Sequence, residues 1–413
     1  MKLKKISKCE VCFAEKLFSV LNLGKNPLCD DLKKIGSKNF NKTYPIHILF
    51  CKNCFTAYQK FLIPKKILFP KSYHYRSKLT KDVINGMKDL VVSYKKKFNS
   101  LNNKLVIDIG CNDGSLLDIF KNYRCKTIGV EPTNAFYDIK KKHFAFNEYF
   151  SENLAKKIKN LFGFPDIITF TNVFAHINNL TKLITALKQI IGPKTIIIIE
   201  NHYLGSVLSK NQFDTFYHEH PRTYSLKSFI FISELLDLKI IGCDFPKRYG
   251  GNIRVFLGKN SKFKLSKNIK KILEKENLFF LKFREMRNNI KIWKFNKTKE
   301  IKKLFYKHGR LIAKGFPGRA AILISLLKIN EKYLKCIYEK PKSPKIGHYI
   351  PGTKIPIISD HFLFRDKSSI PIINLSWHIF KEIKDYLRNN NVKKKIINIV
   401  SAVDFKKNIN DGY

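Results

Sequence analysis

Four short apolar runs set the frame of the chain. Leu105-Val-Ile-Asp108-Ile109, Thr127-Ile-Gly-Val130, Asp166-Ile-Ile-Thr-Phe170 and Thr195-Ile-Ile-Ile-Ile-Glu200 each have the length of a strand. Segments with helical spacing follow at about 115–122 and 180–191. Strands alternating with helices at this spacing predict a parallel, doubly wound sheet. Ligands of such sheets sit beyond the carboxyl ends of the strands. Farther on, lysine-rich sequence with a helical pattern covers 266–308. A strand-like Leu311–Lys314 then leads into a small-residue loop at 315–321 and another helix. No apolar run approaches the roughly 18 residues that a membrane-spanning helix needs, so no span is expected. The opening Met1-Lys2-Leu3-Lys4-Lys5 is charged like the start of a signal peptide. No apolar stretch follows it, so the expectation is a cytoplasmic protein.

Composition changes this picture little, and charge complicates it. The 413 residues leave room for two or three domains. A hydrophobic fraction of 44% is ordinary for a folded chain. Lys+Arg is 79 against 32 Asp+Glu, a formal net charge of +47. One reading is a polyanionic partner such as nucleic acid, anionic lipid or a phosphorylated substrate. The other is compositional drift, since Lys, Ile, Asn and Phe are all abundant while Trp is 2 and Met is 3. The lysines are spread along the whole chain, in runs such as Lys95-Lys96-Lys97 and Lys393-Lys394-Lys395. Drift is therefore the favoured account.

The nine cysteines are more informative. Four form two tight pairs, Cys9-Glu-Val-Cys12 and Cys51-Lys-Asn-Cys54, and five are scattered singly. Without a secretion signal, paired CxxC turns point to metal ahead of disulfides or a redox role. Each turn aims two thiolates at one ion. Two turns complete a tetrahedral shell with no open position, which describes structural zinc.

The first strand ends in Asp108-Ile-Gly110-Cys-Asn112-Asp113-Gly114, and the second ends in Glu131. About 20 residues separate a glycine turn from a ribose-binding acid in a βαβ unit. The fingerprint Gly-x-Gly-x-x-Gly of nicotinamide dinucleotides is absent. Gly110-x-Asn112-x-Gly114 after Asp108 instead resembles the first motif of class I methyltransferases, which bind S-adenosylmethionine. The third strand runs into Asn172-Val-Phe-Ala-His176. Asp108, Glu131, Asn172 and His176 thus all fall at or near strand ends. A later segment, Tyr217-His218-Glu219-His220-Pro221, concentrates aromatic, imidazole and carboxylate groups. Pro221 argues against a helix there, so the segment is expected to be a loop. In extended backbone His218 and His220 would point the same way. An imidazole beside a carboxylate is suited to act as general base near neutral pH; a loop packed at a domain interface is the alternative.

Taken in order, CxxC, CxxC, DIGCNDG, NVFAHI and YHEH, then Tyr249-Gly-Gly-Asn-Ile-Arg254 and Lys345-Ile-Gly-His-Tyr-Ile-Pro351-Gly352-Thr353-Lys-Ile-Pro356, resemble one family. This is the S-adenosylmethionine-dependent C-methyltransferases of nucleotide-linked 4-keto deoxysugars, tetronitrose C-3′-methyltransferase-like. The resemblance covers nearly the whole chain. It implies a zinc module at 1–72, a Rossmann-like methyltransferase domain at 73–246 and a C-terminal α/β substrate-binding domain at 247–413. It implies His220 as base with Glu219 orienting it, and Tyr217, His176 and Tyr73 on the substrate side. Asp108, Gly110, Asn112, Asp113, Gly114, Glu131 and Asn172 would hold S-adenosylmethionine, and Cys9, Cys12, Cys51 and Cys54 structural zinc. The implied partner is a nucleotide-diphosphate sugar, and the layout is compatible with a monomer. The chain departs from the family at Gly315-Phe-Pro-Gly318, where Tyr-Gly-Ala-Ser is usual. A nucleic-acid methyltransferase and a non-catalytic zinc-bearing scaffold are the competing expectations.

Overall fold

The computed structural model describes residues 3–69, 76–79, 81–139, 142–259 and 267–405. The chain divides into two compact units built from interleaved segments. One comprises 1–19, 49–207 and 219–280; the other comprises 20–48, 208–218 and 281–413.

The first unit contains a seven-stranded sheet. Its strands are β1 (Leu105–Ile109), β2 (Lys126–Val130), β3 (Phe144–Phe146), β4 (Ile167–Thr171), β5 (Ile196–His202), β6 (Lys239–Asp244) and β7 (Asn252–Gly258). They lie in the order β3-β2-β1-β4-β5-β7-β6. The strands from β3 to β5 pair in parallel, while β7 runs antiparallel to both β5 and β6. Burial on both faces is why these strands read as unbroken apolar runs. Ile197, Ile198 and Ile199 of β5 are all fully buried.

Helix α1 (Lys81–Phe98) places Leu90, Val91 and Tyr94 in one core cluster with Val106, Phe120 and Phe256. Helices α2 (Ser115–Lys121), α3 (Glu152–Phe162) and α4 (Leu180–Lys188) follow β1, β3 and β4. Side chains cap two of them: Ser151 accepts from Leu154 N and Asn179 from Lys182 N. Helix α4 ends earlier, and β5 runs two residues later, than their patterns suggest.

The sequence division at 246/247 separates what the sheet joins. Strand β7 lies beyond that boundary, yet it hydrogen-bonds β5 over six residues, from Ile197–Leu257 to His202–Asn252. Hydrogen-bond pairing decides membership of a sheet, and chain order does not.

The second unit contains five parallel strands: β8 (Leu311–Lys314), β9 (Leu334–Glu339), β10 (Ile357–Ser359), β11 (Ile372–Asn374) and β12 (Ile396–Asn398). Their order is β10-β9-β8-β11-β12. Ile312, Cys336, Tyr338, Leu363 and Ile372 form its core cluster. The lysine-rich stretch expected from 266 onward is two helices, α6 (Lys267–Glu276) and α7 (Phe279–His308). Among the described residues no helix is long and apolar enough to cross a membrane.

Candidate active site and metal centre

The two CxxC turns converge. The Sγ atoms of Cys9, Cys12, Cys51 and Cys54 lie within 4.8 Å of one another. Cys9–Cys54, Cys9–Cys12 and Cys12–Cys51 are 3.4, 3.5 and 3.5 Å apart. A tetrahedron of thiolates about 2.3 Å from zinc has edges of about 3.8 Å, so the donor set fits that ion. Cys9, Cys51 and Cys54 are fully buried. Outer partners fix them: Tyr58 Oη lies 2.9 Å from Cys9 Sγ, and Thr56 Oγ1 3.1 Å from Cys54 Sγ.

The same knuckles hold the loop that carries the histidines. Arg222-Thr223 pairs antiparallel with Tyr58 and Ala57. Gln59 N donates to Pro221 O at 2.9 Å. Arg222 is fully buried, forms an ion pair with Glu10, and donates to the carbonyls of Ile177 and Asn178. Ser225 and Ser228, which form the capping box of α5 (Leu226–Leu235), both donate to Cys54 O. The zinc module therefore acts as an anchor for the segment after His220.

At the strand ends the glycines meet steric demands. Gly110 has φ 72° and Gly114 φ 78°. A Cβ on Gly110 would lie 2.7 Å from Val173, and one on Gly114 2.3 Å from Ile139. Asn112 also has positive φ, 51°. Its N–H donates to Glu131 Oε2 at 2.9 Å. Glu131 Oε1 accepts from both the N–H and the hydroxyl of Thr133, at 2.9 and 2.6 Å. A carboxylate oxygen has two lone pairs, so Oε1 is used up and Oε2 keeps one for a ligand hydroxyl. Asp113 faces protein instead: it accepts from Lys78 N, Ser115 N and Ser115 Oγ. Asp108 is buried with Thr169 Oγ1 donating to it at 2.7 Å. Burial pushes its carboxyl up to about 7, and the Thr169 hydrogen bond only partly opposes this. No basic side chain pairs with Asp108 or Glu131 among the described residues. An acid-lined edge without its own cations suits S-adenosylmethionine, which carries a sulfonium, an ammonium and a ribose diol.

The histidine loop differs from its expected form. His218 and Glu219 sit in a turn. The extended backbone on which a shared direction of His218 and His220 depends is therefore absent here. His218 Nε2 lies 3.0 Å from Tyr44 O, and burial lowers its ring to about 4. His220 is buried against His176, ring centroids 4.8 Å apart. His176 Nδ1 lies 2.6 Å from Glu219 O, and burial lowers its pKa. Glu219 is itself buried, and Tyr217 is partly so. Tyr73 lies outside the described residues.

Two features escaped the sequence reading. His202, at the end of β5, lies 5.4 Å from His220 between ring centroids; ending that strand at Glu200 hid it. Glu200 is fully buried and receives Arg254 Nε at 2.7 Å, Asn252 Nδ2 at 3.0 Å and Arg248 Nη1 at 3.3 Å. This explains the Tyr249–Arg254 motif. Arg254 of the motif, with Arg248 just before it, neutralises the buried acid and Asn252 hydrogen-bonds it, beside Asn172, whose N–H donates to Glu200 O.

Family models match the chain in three consecutive pieces. A zinc binding domain covers residues 9–69, a methyltransferase domain 80–241, and a C-methyltransferase C-terminal domain 247–401. The C-methyltransferase NovU of Streptomyces niveus is 24% identical over 254 residues, 61% of this chain and 60% of that protein. The match thus spans about three fifths of that relative's length. Two solved structures are similar over the methyltransferase region. One is a SAM-dependent methyltransferase of Archaeoglobus fulgidus, 18% identical with TM-score 0.32, covering 39% of this chain and 72% of that one. The other is the magnesium protoporphyrin IX methyltransferase of Synechocystis PCC 6803 with bound SAH, 16% identical with TM-score 0.35, covering 44% and 86%. The three domain models in this order, with a four-cysteine cluster where the first of them lies, make the chain similar to zinc-domain-bearing C-methyltransferases along most of its length.

Proposed function

We propose that the protein methylates the carbon beside the keto group of a nucleotide-linked 4-keto deoxysugar, with His220 as the base. The observation that supports this reading is the setting of His220: a buried imidazole at the loop following the strand ends, packed on His176. A keto group acidifies hydrogen on the adjacent carbon. His220 takes that proton, and the electron pair moves into an enolate. Tyr217 donates a hydrogen bond to the enolate oxygen, whose charge develops only as the reaction proceeds, while the single N–H of His176 is held by the Glu219 carbonyl and this ring packs against His220. Burial keeps His176 neutral. Glu219 fixes the loop through its carbonyl on His176 and favours the imidazolium of His220 through its carboxylate. Tyr73 is the further substrate-side tyrosine.

S-adenosylmethionine supplies an electrophilic methyl group when bound. Glu131 Oε2 takes a ribose hydroxyl and Asp108 faces the cationic end. Asn112 and Asn172, both in positive-φ turns, line the same edge with Gly110 and Gly114. Asp113 holds the turn itself. Zinc on the four cysteines is structural.

The test is purified protein with methyl-labelled S-adenosylmethionine and a panel of nucleotide-linked 4-keto sugars. Methyl transfer to one of them, together with exchange of the adjacent proton into heavy water, is expected. His220→Asn should lower both by about 10²–10⁴-fold, the usual worth of a general base, while cofactor binding stays intact. Absence of transfer and exchange with every sugar overturns the reading.

A further inference from the structure

We infer that His202 carries the proton taken by His220 out to solvent. The inference rests on the reaction proposed above. Joining a methyl group from a sulfonium to carbon releases one proton. The C–H bond breaks and the proton goes to the base; the enolate's electron pair forms the new C–C bond; the S–CH₃ pair returns to sulfur. After each turnover His220 is an imidazolium, and it must lose that proton before the next.

His220 itself is buried. Two imidazoles flank it, at 4.8 Å for His176 and 5.4 Å for His202 between ring centroids. They are not equivalent. His176 Nδ1 faces the carbonyl of Glu219 at 2.6 Å, and the carbonyl of Asn172 is a further acceptor for this ring. A carbonyl accepts a hydrogen bond but cannot take the proton away. Phe69 closes on the same ring at 5.4 Å. Burial moreover disfavours a charged His176.

His202 sits at the last position of β5 and, like His176, is partly buried, so the two differ in the carbonyls that hold the His176 ring and not in exposure. The carboxylate in the same strand, Glu200, is engaged by Arg254 and Arg248, so it does not compete for the proton. Glu219, the other acid beside the base, is buried. The route is therefore His220 to His202, directly or through one water, and on to bulk water. Imidazole is suited to each step because both of its forms are populated near neutral pH.

The experiment uses the full chain with dTDP-4-keto-6-deoxyglucose as probe and reads two quantities. One is exchange of the proton beside the keto group into heavy water, with S-adenosylhomocysteine in place of the methyl donor. The other is a single turnover of methyl transfer with enzyme in excess. His202→Phe should slow exchange by about 10-fold or more, because the abstracted proton returns to carbon before it escapes, and leave the single-turnover rate within about 2-fold. Added imidazole should restore exchange in His202→Ala. His202→Gln, which keeps a polar group but cannot titrate, should behave as His202→Phe and guards against a packing defect. Unchanged exchange in these variants overturns the relay, and so does an equal fall of exchange and single turnover, which would make His202 a binding or packing residue. If wild-type protein shows neither exchange nor transfer with this and the other 4-keto sugars, the reaction itself fails and the relay with it.

Discussion

The two sheets end in edges of opposite character. In both, the strand at the topological switch is followed by a glycine with φ 72°, Gly110 after β1 and Gly315 after β8. In the second sheet the charges at this edge neutralise one another, though only one oxygen of Asp360 is hydrogen-bonded among the described residues. Lys314 Nζ lies 2.9 Å from Asp360 Oδ2, both fully buried, and Tyr386 Oη donates to the same oxygen at 2.9 Å. In the first sheet Asp108 and Glu131 receive only hydroxyl and N–H donors, and neither acid pairs with a cation among the described residues. The first edge is also completed from outside its sheet, by the loop that the cysteine knuckles hold. A self-neutralised edge is a packing solution. An edge with unbalanced acids is a place for a cationic ligand, at a cost in the free protein.

That contrast can be broken in steps. The largest effect should come from the knuckles. A structural zinc supplies about 10–16 kcal/mol of apparent binding energy, so Cys51→Ser or a strong chelator should unfold the knuckle region and abolish methyl transfer. Loss of zinc with full transfer would show that the first edge does not depend on the anchor. Next, Lys314→Met leaves the buried Asp360 unpaired and should cost about 3–5 kcal/mol in a denaturant titration. A smaller cost would mean that the second edge is not held by its own charges.

Asp108→Asn should go the other way. The folded carboxyl titrates near 7, against about 3.9 in an unfolded chain, so the folded state holds its proton longer. Wild-type stability from this group is therefore lost as pH rises from about 4 to 7 and is flat above. The variant should be more stable than wild type by up to about 4 kcal/mol at pH 8, with no gain near pH 3, in paired melts. It should bind S-adenosylmethionine more weakly. A variant that is less stable at pH 8 would remove the case for strain at this edge. The smallest effect should be Glu131→Gln. Loss of charge at one remaining acceptor site should weaken cofactor binding by about 10-fold in calorimetry, worth about 1.4 kcal/mol.

The apolar runs located β1, β2, β4, β5 and β8 within one or two residues, because strands buried on both faces must be apolar throughout. The paired CxxC turns announced their cluster because two thiolates three residues apart are placed locally. The spacing from the glycine turn pointed to Glu131, which accepts from the N–H of Asn112 in that turn. Strand β7 lies past residue 247, yet it pairs with β5, fifty to sixty residues earlier, and no local pattern in the sequence shows that pairing. His202 was missed because a strand's last residues carry no apolar signal. The turn at His218–Glu219 was not legible, because nothing in the local pattern distinguishes it from extended backbone. The function of the +47 charge was not legible either, and no basic side chain pairs with Asp108 or Glu131 at the cofactor edge among the described residues.

The sequence by itself determined the alternation of strands and helices, the metal knuckles and the acids at the strand ends. All of these follow from periodicity, spacing and side-chain chemistry within short segments. Only the tertiary structure decided which imidazoles meet His220, which lone pairs of Glu131 remain, and which acids keep their charge uncompensated. Those depend on hydrogen bonds and burial between residues far apart in the chain, and no local pattern records them.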